Sequence, residues 1–496
     1  MNAAKMQTRS RGIRPVLLGT AAAILGLLAS PSPAPASPGQ FTVLDPTPQL
    51  LNGTNAARRA DILDRLQALG VDSMRIQVQW RFIAPHANSD EKPFGLDPSD
   101  SGEYSLDVLD SIVRGAAQRG VKPLLVPTGP IPDWASTSGR GPLFDPDPDD
   151  FEDFVETLGR RYDGTCVPPR CDAGAAGDPL PRVEQWAVYN EPNLKTFLRP
   201  QRDPDGRTVS GTDYRRLFLA AQRGLADSGH RRDLLLIGET APSRGSSSTP
   251  PLEFLRQVFC LGRGYRPLRE CTPIEADGWA HHPYNPHIPP WQEPSEKRRS
   301  IISIGSIDRL VDALGRVHRA GGTLRRLPVY ITEYGIESYP QSDFGVSLQR
   351  QAEWLAAAEY LLYRNPLIES FAQYLLDDDR NPSQILSFQT GLRFANGHPK
   401  PSYEAFPLTL LARRQDSRRV RIWGHVRPDE GAGDVEIRFR DDGRGAGREL
   451  TTVRTDADGY FQFSTRFRQG REWQAVCELP AGAQLQGPFV RSYRFN

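Results

Sequence analysis

Two glutamates carry the chemistry that this sequence suggests. One lies in Trp186-Ala187-Val188-Tyr189-Asn190-Glu191-Pro192-Asn193, the other in Val329-Tyr330-Ile331-Thr332-Glu333-Tyr334-Gly335. Each carboxylate closes an apolar, strand-like run. Two carboxyl groups facing each other across a cleft can divide a reaction between them. One, kept protonated, gives its proton to a leaving oxygen, while the other, kept ionised, attacks carbon. That division of labour is the machinery of glycoside hydrolysis. A single surface glutamate would mean little. Asn-Glu-Pro after one apolar run, with Thr-Glu-Tyr-Gly after another, is a stronger signal.

The elements that must position this pair follow a βα rhythm from residue 41 to about 412. Short apolar runs predict strands at 41–44, 74–79, 123–127, 183–189, 234–237, 274–280, 329–332 and 368–375. Between them, amphipathic patterns predict helices at 56–69, 105–118, 151–162, 214–227, 307–320 and 348–363, with 402–411 closing the series and Ser105 capping the second. Eight strands alternating with helices fit a (β/α)₈ TIM barrel. The two glutamates then fall at the C-terminal ends of strands four and seven, the face that carries chemistry in such barrels. An open doubly wound sheet would normally begin with a glycine-rich phosphate loop, and no GxGxxG or GxxxxGK[ST] follows an early strand. Long connections, such as 82–104 and 282–299, mostly follow strand ends and would wall a groove or pocket.

After Arg413 the pattern changes to short alternating runs at 420–426, 435–439, 460–463 and 473–477. These predict a small all-β sandwich over 418–496. The acidic stretch Thr455–Gly459 lacks EF-hand spacing and reads as an Asp-Gly turn. At the other end, Lys5, Arg9, Arg11 and Arg14 precede an apolar run and then Ala34-Pro35-Ala36. This is the form of a signal peptide over 1–36, with the barrel expected over 37–412. A retained membrane anchor would need a longer apolar run, and no later segment reaches spanning length. A secreted, periplasmic or cell-surface location is therefore expected. Cys166 with Cys171, and Cys260 with Cys271, make two local disulfides the simple pairing, leaving Cys477 buried in a strand. The balance of 61 basic and 60 acidic residues gives no electrostatic reason to expect nucleic acid as a partner.

The segments Trp186–Asn193 and Ile331–Gly335 resemble the clan of retaining (β/α)₈ glycoside hydrolases that includes cellulases, mannanases and β-xylosidases. The resemblance covers roughly residues 41–412. It implies that Glu191 is the acid/base and Glu333 the nucleophile. Arg75 resembles the strand-two arginine that supports the nucleophile, where it would keep Glu333 ionised; a plain salt bridge in the barrel mouth is the other reading. Asn190 resembles the asparagine that holds the sugar 2-hydroxyl. Trp279-Ala280-His281-His282-Pro283-Tyr284 resembles the strand-six region, which nominates His282 and Tyr284 beside the nucleophile, with Trp279 nearby.

Many relatives have a tryptophan sugar platform on strand eight, but this chain has Gln373-Tyr374 there. Either Tyr374 replaces the platform or Gln373 points inward as a sugar contact. Trp80, Trp134 and Trp291 are candidates for stacking on sugars, or equally for packing in the core. His281 and His282 do not suggest a metal site, because no third ligand stands at a suitable spacing. No metal or cofactor is expected. The expected function is hydrolysis of β-glycosidic bonds in a polysaccharide or oligosaccharide by double displacement. The competing reading is a non-catalytic carbohydrate-binding or scaffold protein on the same barrel. Oligomeric state is left open.

Overall fold

The computed structural model describes residues 37–495 apart from 38, 52–54, 98–99, 170, 172–175, 244, 246–247, 269, 286–287, 296–299, 341, 343–344, 381–386, 429–430, 432 and 480–481. The expected signal peptide lies outside the described residues. Eight parallel strands close a barrel in sequential order: β1 (Phe41–Asp45), β2 (Ser73–Gln79), β3 (Lys122–Thr128), β4 (Gln185–Ala187), β5 (Leu234–Thr240), β6 (Gly278–His281), β7 (Val329–Ile331) and β8 (Ile368–Tyr374). Pairing of Val43 with Ala372 and of Asp45 with Tyr374 joins β1 to β8 and shuts it.

Period-two alternation decides which side chains enter the barrel. Leu124, Val126, Ala187, Leu236, Ala280 and Tyr330 fill the interior. Their neighbours Leu125, Trp186, Ile237, Trp279 and Ile331 point outward into the larger core beneath the helices. Helix starts are set by local capping. Asn55 accepts from the Arg58 N–H, Asp147 from the N–H groups of Asp149 and Asp150, and Ser347 from that of Arg350. The helix expected to start at a Ser105 cap instead begins at Asp107, with Leu106 at the N-cap position and no side-chain cap, while the Ser105 N–H donates to the Ile83 carbonyl.

The closing helix expected over 402–411 is only Pro401–Ala405. A strand, β9 (Leu408–Arg414), follows, because Leu408, Leu410 and Ala412 pack into the core of the C-terminal β region. β9 joins β10 (Arg419–Val426) and β13 (Tyr460–Arg466) in one antiparallel sheet. A second sheet contains β11 (Asp434–Asp441), β12 (Arg448–Arg454), β14 (Arg471–Glu478), β15 (Gln484–Gln486) and β16 (Val490–Arg491). The architecture is thus a TIM barrel followed by a small β-sandwich region.

The sandwich is locked to helix Leu348–Tyr363. Tyr360 and Tyr363 pack on Trp423 and Tyr460, with Tyr363 and Tyr460 centroids 4.6 Å apart. Beneath them, buried Arg427 pairs with Glu359, and His425 Nδ1 lies 2.7 Å from the same carboxylate. Arg427 also donates to Thr42 Oγ1 at 3.0 Å, and so reaches the first barrel strand. Trp423, Tyr460 and Trp473 are all buried, so they supply packing and not an exposed sugar-binding strip.

Disulfides join Cys166 to Cys171 and Cys260 to Cys271, while Cys477 is free and buried in β14. No helix among the described residues is long and apolar enough to cross a membrane.

Candidate active site

The C-terminal mouth of the barrel holds a buried cluster of charge. Arg75, on β2, points inward between the outward Met74 and Ile76 and is fully buried. Its guanidinium reaches Asp45 Oδ2 at 2.5 Å, Glu333 Oε2 at 3.1 Å and Asn190 Oδ1 at 2.7 Å, and it pairs closely with Glu239. His282, just beyond β6, is also fully buried. Its Nδ1 lies 3.0 Å from Glu191 Oε1 and 3.5 Å from Glu333 Oε2, and its Nε2 lies 3.2 Å from Glu239 Oε2. Tyr284 donates its hydroxyl to Glu333 Oε1 at 2.9 Å.

Backbone geometry at the strand ends is unusual. Tyr189, Glu191 and Glu239 have φ of 64°, 42° and 48°, values that non-glycine residues seldom adopt. Such strain persists only where surrounding bonds hold it. Here the Glu191 N–H donates to the Glu239 carbonyl at 3.0 Å, the Asn190 N–H to Thr128 Oγ1 at 2.9 Å and the Tyr189 N–H to the Pro127 carbonyl at 3.0 Å.

Glu239 was not among the residues nominated from sequence. On β5, Leu236 faces inward and Ile237 outward, so simple alternation would send Glu239 outward. A register irregularity between Ile237 and Thr240 changes this. It is built on Gly238, whose φ is 117°, and a Cβ there would lie 2.6 Å from the Trp279 ring and 2.8 Å from the Ala280 carbonyl. The glycine inside the strand was the available signal.

The charges act on one another. Burial alone would raise the Glu239 carboxyl, but Arg75 and His282 bring it down to about 2. Burial alone would lower His282, but Glu333, Glu239 and Glu191 raise it to about 10, so it is an imidazolium at neutral pH. Glu333 is raised to about 7 by burial, against the pull of His282 and Arg75 and with the help of Glu191. Arg75 pulls Glu333 toward its ionised form, the direction expected of it, while its guanidinium is shared with Asp45 and Glu239 and burial pulls the other way.

A cavity of about 750 Å³ opens on the cluster, and Asn190, Glu191, Tyr284, Glu333 and Tyr374 line it. Other nominated residues lie elsewhere. Trp279 alternates with Ala280 and points outward onto Phe259. Trp134 meets Trp80 edge-on and donates its indole N–H to the Pro85 carbonyl. Gln373 is buried, with its amide donating to the carbonyls of Tyr374, Leu375 and Thr390. Trp80 stacks on Phe154, and Trp291 stacks on Phe495. These five side chains are packing elements because strand parity or a buried partner directs them away from the cavity.

Glu191, His282 and Glu333 can each offer one atom within 4.8 Å of the other two. The third ligand missing from local spacing is therefore present in space. The set still suits a metal poorly, because both His282 nitrogens are already engaged by carboxylates, Nδ1 by Glu191 and Nε2 by Glu239.

The fold is similar to that of a family 39 glycoside hydrolase from the gut symbiont Bacteroides cellulosilyticus WH2, with TM-score 0.52 and 16% identity, covering 89% of this chain and 82% of that one. A glucosidase from Croceicoccus marinus is also similar, with TM-score 0.49 and 14% identity, covering 89% of this chain and 96% of that one. At 16% identity the first likeness is one of fold. No family model matches the chain, and no curated protein matches it.

Proposed function

We propose that the chain is a retaining glycoside hydrolase acting on β-glycosidic bonds, with Glu191 as acid/base and Glu333 as nucleophile. The observation that carries this is the closeness of the two carboxyl groups, with an oxygen of each within 4.8 Å, on the wall of one cavity. Retaining enzymes hold their carboxyls about 5–5.5 Å apart, whereas inverting ones leave about 6.5–9.5 Å for a water.

The donors around each carboxyl support these roles. Both Glu333 oxygens accept, one from the Tyr284 hydroxyl and one from Arg75, and these contacts favour its carboxylate anion. Glu191 accepts at Oε1 from His282, and its Oε2 takes no hydrogen bond among the described residues. Glu191 protonates the glycosidic oxygen while Glu333 attacks the anomeric carbon, breaking the C–O bond and forming a glycosyl ester. Glu191 next takes a proton from water, which cleaves the ester.

Export belongs to the same proposal, supported by the N-terminal leader pattern and the two disulfides. Loss of either glutamate would be expected of a non-catalytic barrel, and both are present. Chemical rescue tests the reading. Glu333→Ala should abolish turnover of an activated aryl glycoside, and azide should restore it with formation of the opposite anomeric azide. Normal activity in Glu333→Ala and Glu191→Ala would refute it.

A further inference from the structure

The cavity that contains the glutamates does not end at them. On the β2 side it continues past Ile76 and Val78, which belong to the core beneath the helices, to Leu51, Ile83 and Leu109. Arg75 faces the barrel interior, so the cavity spans both faces of this strand: a charged end inside and an aliphatic flank outside. At the rim of that flank stand Phe82, 69% exposed, and Val108, 40% exposed. No lysine, arginine or aspartate lines the cavity among the described residues.

A sugar ring carries hydroxyls around its edge, and each hydroxyl buried without a partner is costly. Among its aliphatic side chains the flank offers only Thr47, Gln77, Gln79 and Ser105 as polar partners, and Trp354, the tryptophan that lines the cavity among the described residues, stands on helix Leu348–Tyr363, between β7 and β8 in the chain, and not beside β2. An exposed apolar rim leading into an apolar recess suits a hydrocarbon. Whatever fills this flank shares one cavity with a sugar at Glu191 and Glu333.

We propose that the substrate is an amphiphilic glycoside: a sugar at the two glutamates bearing a long aliphatic aglycone that lies in the flank beside β2 and leaves past Phe82 and Val108. The sugar half rests on the glycosidase reading above. The apolar half rests on the composition of the cavity.

Calorimetry tests it independently of turnover. The full chain carrying Glu333→Gln is titrated with methyl, butyl, octyl and dodecyl β-glucosides, each below its micelle concentration. Affinity should rise roughly three- to fourfold per added methylene until the flank is filled. Phe82→Ser, at an exposed position, should reduce the dodecyl-to-methyl affinity ratio at least tenfold while thermal unfolding is unchanged. An affinity independent of chain length overturns the proposal, as does an unaltered ratio in both Phe82→Ser and Val108→Ser. In parallel, wild-type protein is assayed on a panel of aryl glycosides. Failure there counts against the glycosidase reading alone, whereas aryl hydrolysis with flat alkyl binding counts against the aliphatic aglycone alone.

Discussion

Glu239 lies 3.2 Å from His282 Nε2 while also pairing with Arg75, and so ties together the two cations that face Glu333. It holds them in place from behind the cavity. Glu239→Gln keeps the shape and removes the charge. Two buried cations then lose a shared anion, and stability should fall by about 3–5 kcal/mol, the usual cost of breaking a buried pair. Denaturant unfolding would show this. NMR titration should also find His282 below its value of about 10. Unchanged His282 titration would remove Glu239 from this role.

Tyr284 gives Glu333 a hydrogen bond that favours its anion. Tyr284→Phe should lower kcat/KM about 10- to 100-fold, as expected for a hydrogen bond to a charged group worth about 1.5–3 kcal/mol. Without that donor Glu333 holds its proton to higher pH, so the acid limb of the pH–rate profile should move upward. A slower enzyme with an unmoved limb would mean that Tyr284 only packs.

The raised carboxyl of Glu333 makes stability depend on pH. Its ordinary value is 4.5 and its folded value about 7, so the folded state binds the proton more tightly. That contribution is complete below pH 4.5 and is lost as pH rises through 7. Glu333→Gln does not titrate. The unfolding free energy of wild type minus that of Glu333→Gln should therefore decline between pH 4.5 and 7. A difference that is flat with pH would contradict the assignment.

The sandwich supports the barrel through Arg427, Glu359 and His425. Arg427→Ala would strand a buried carboxylate and should cost about 3–5 kcal/mol, read by thermal or chemical unfolding. Truncation after residue 412 cuts β9 and exposes Tyr360 and Tyr363. The shortened chain should aggregate. A soluble, active barrel ending at 412 would show that the two parts are independent.

The barrel was legible because each strand is a short apolar run between amphipathic helices, and the glutamates because both follow such runs. Other features depended on local departures from that rhythm. Residues 402–411 are apolar enough to read as helix, but their alternation serves a β core. Trp279 and His282 were nominated together, although Trp279 faces outward from β6 and His282, just beyond the strand, turns in to the carboxylates. Glu239 was hidden because the irregularity at Gly238 reverses its face. The aliphatic flank was invisible because Ile76, Val78 and Leu109 are ordinary core residues by type, and only the shape of the cavity brings them beside the site.

The most direct test of the paired-glutamate account is covalent trapping. Wild-type protein is incubated with a panel of activated 2-deoxy-2-fluoro-β-glycosides, digested and mapped by peptide mass spectrometry. The account predicts a single fluoroglycosyl adduct, carried by Glu333 and absent from Glu333→Gln. An adduct on another residue, or turnover of the matching unsubstituted glycoside with inversion at the anomeric carbon, would contradict it.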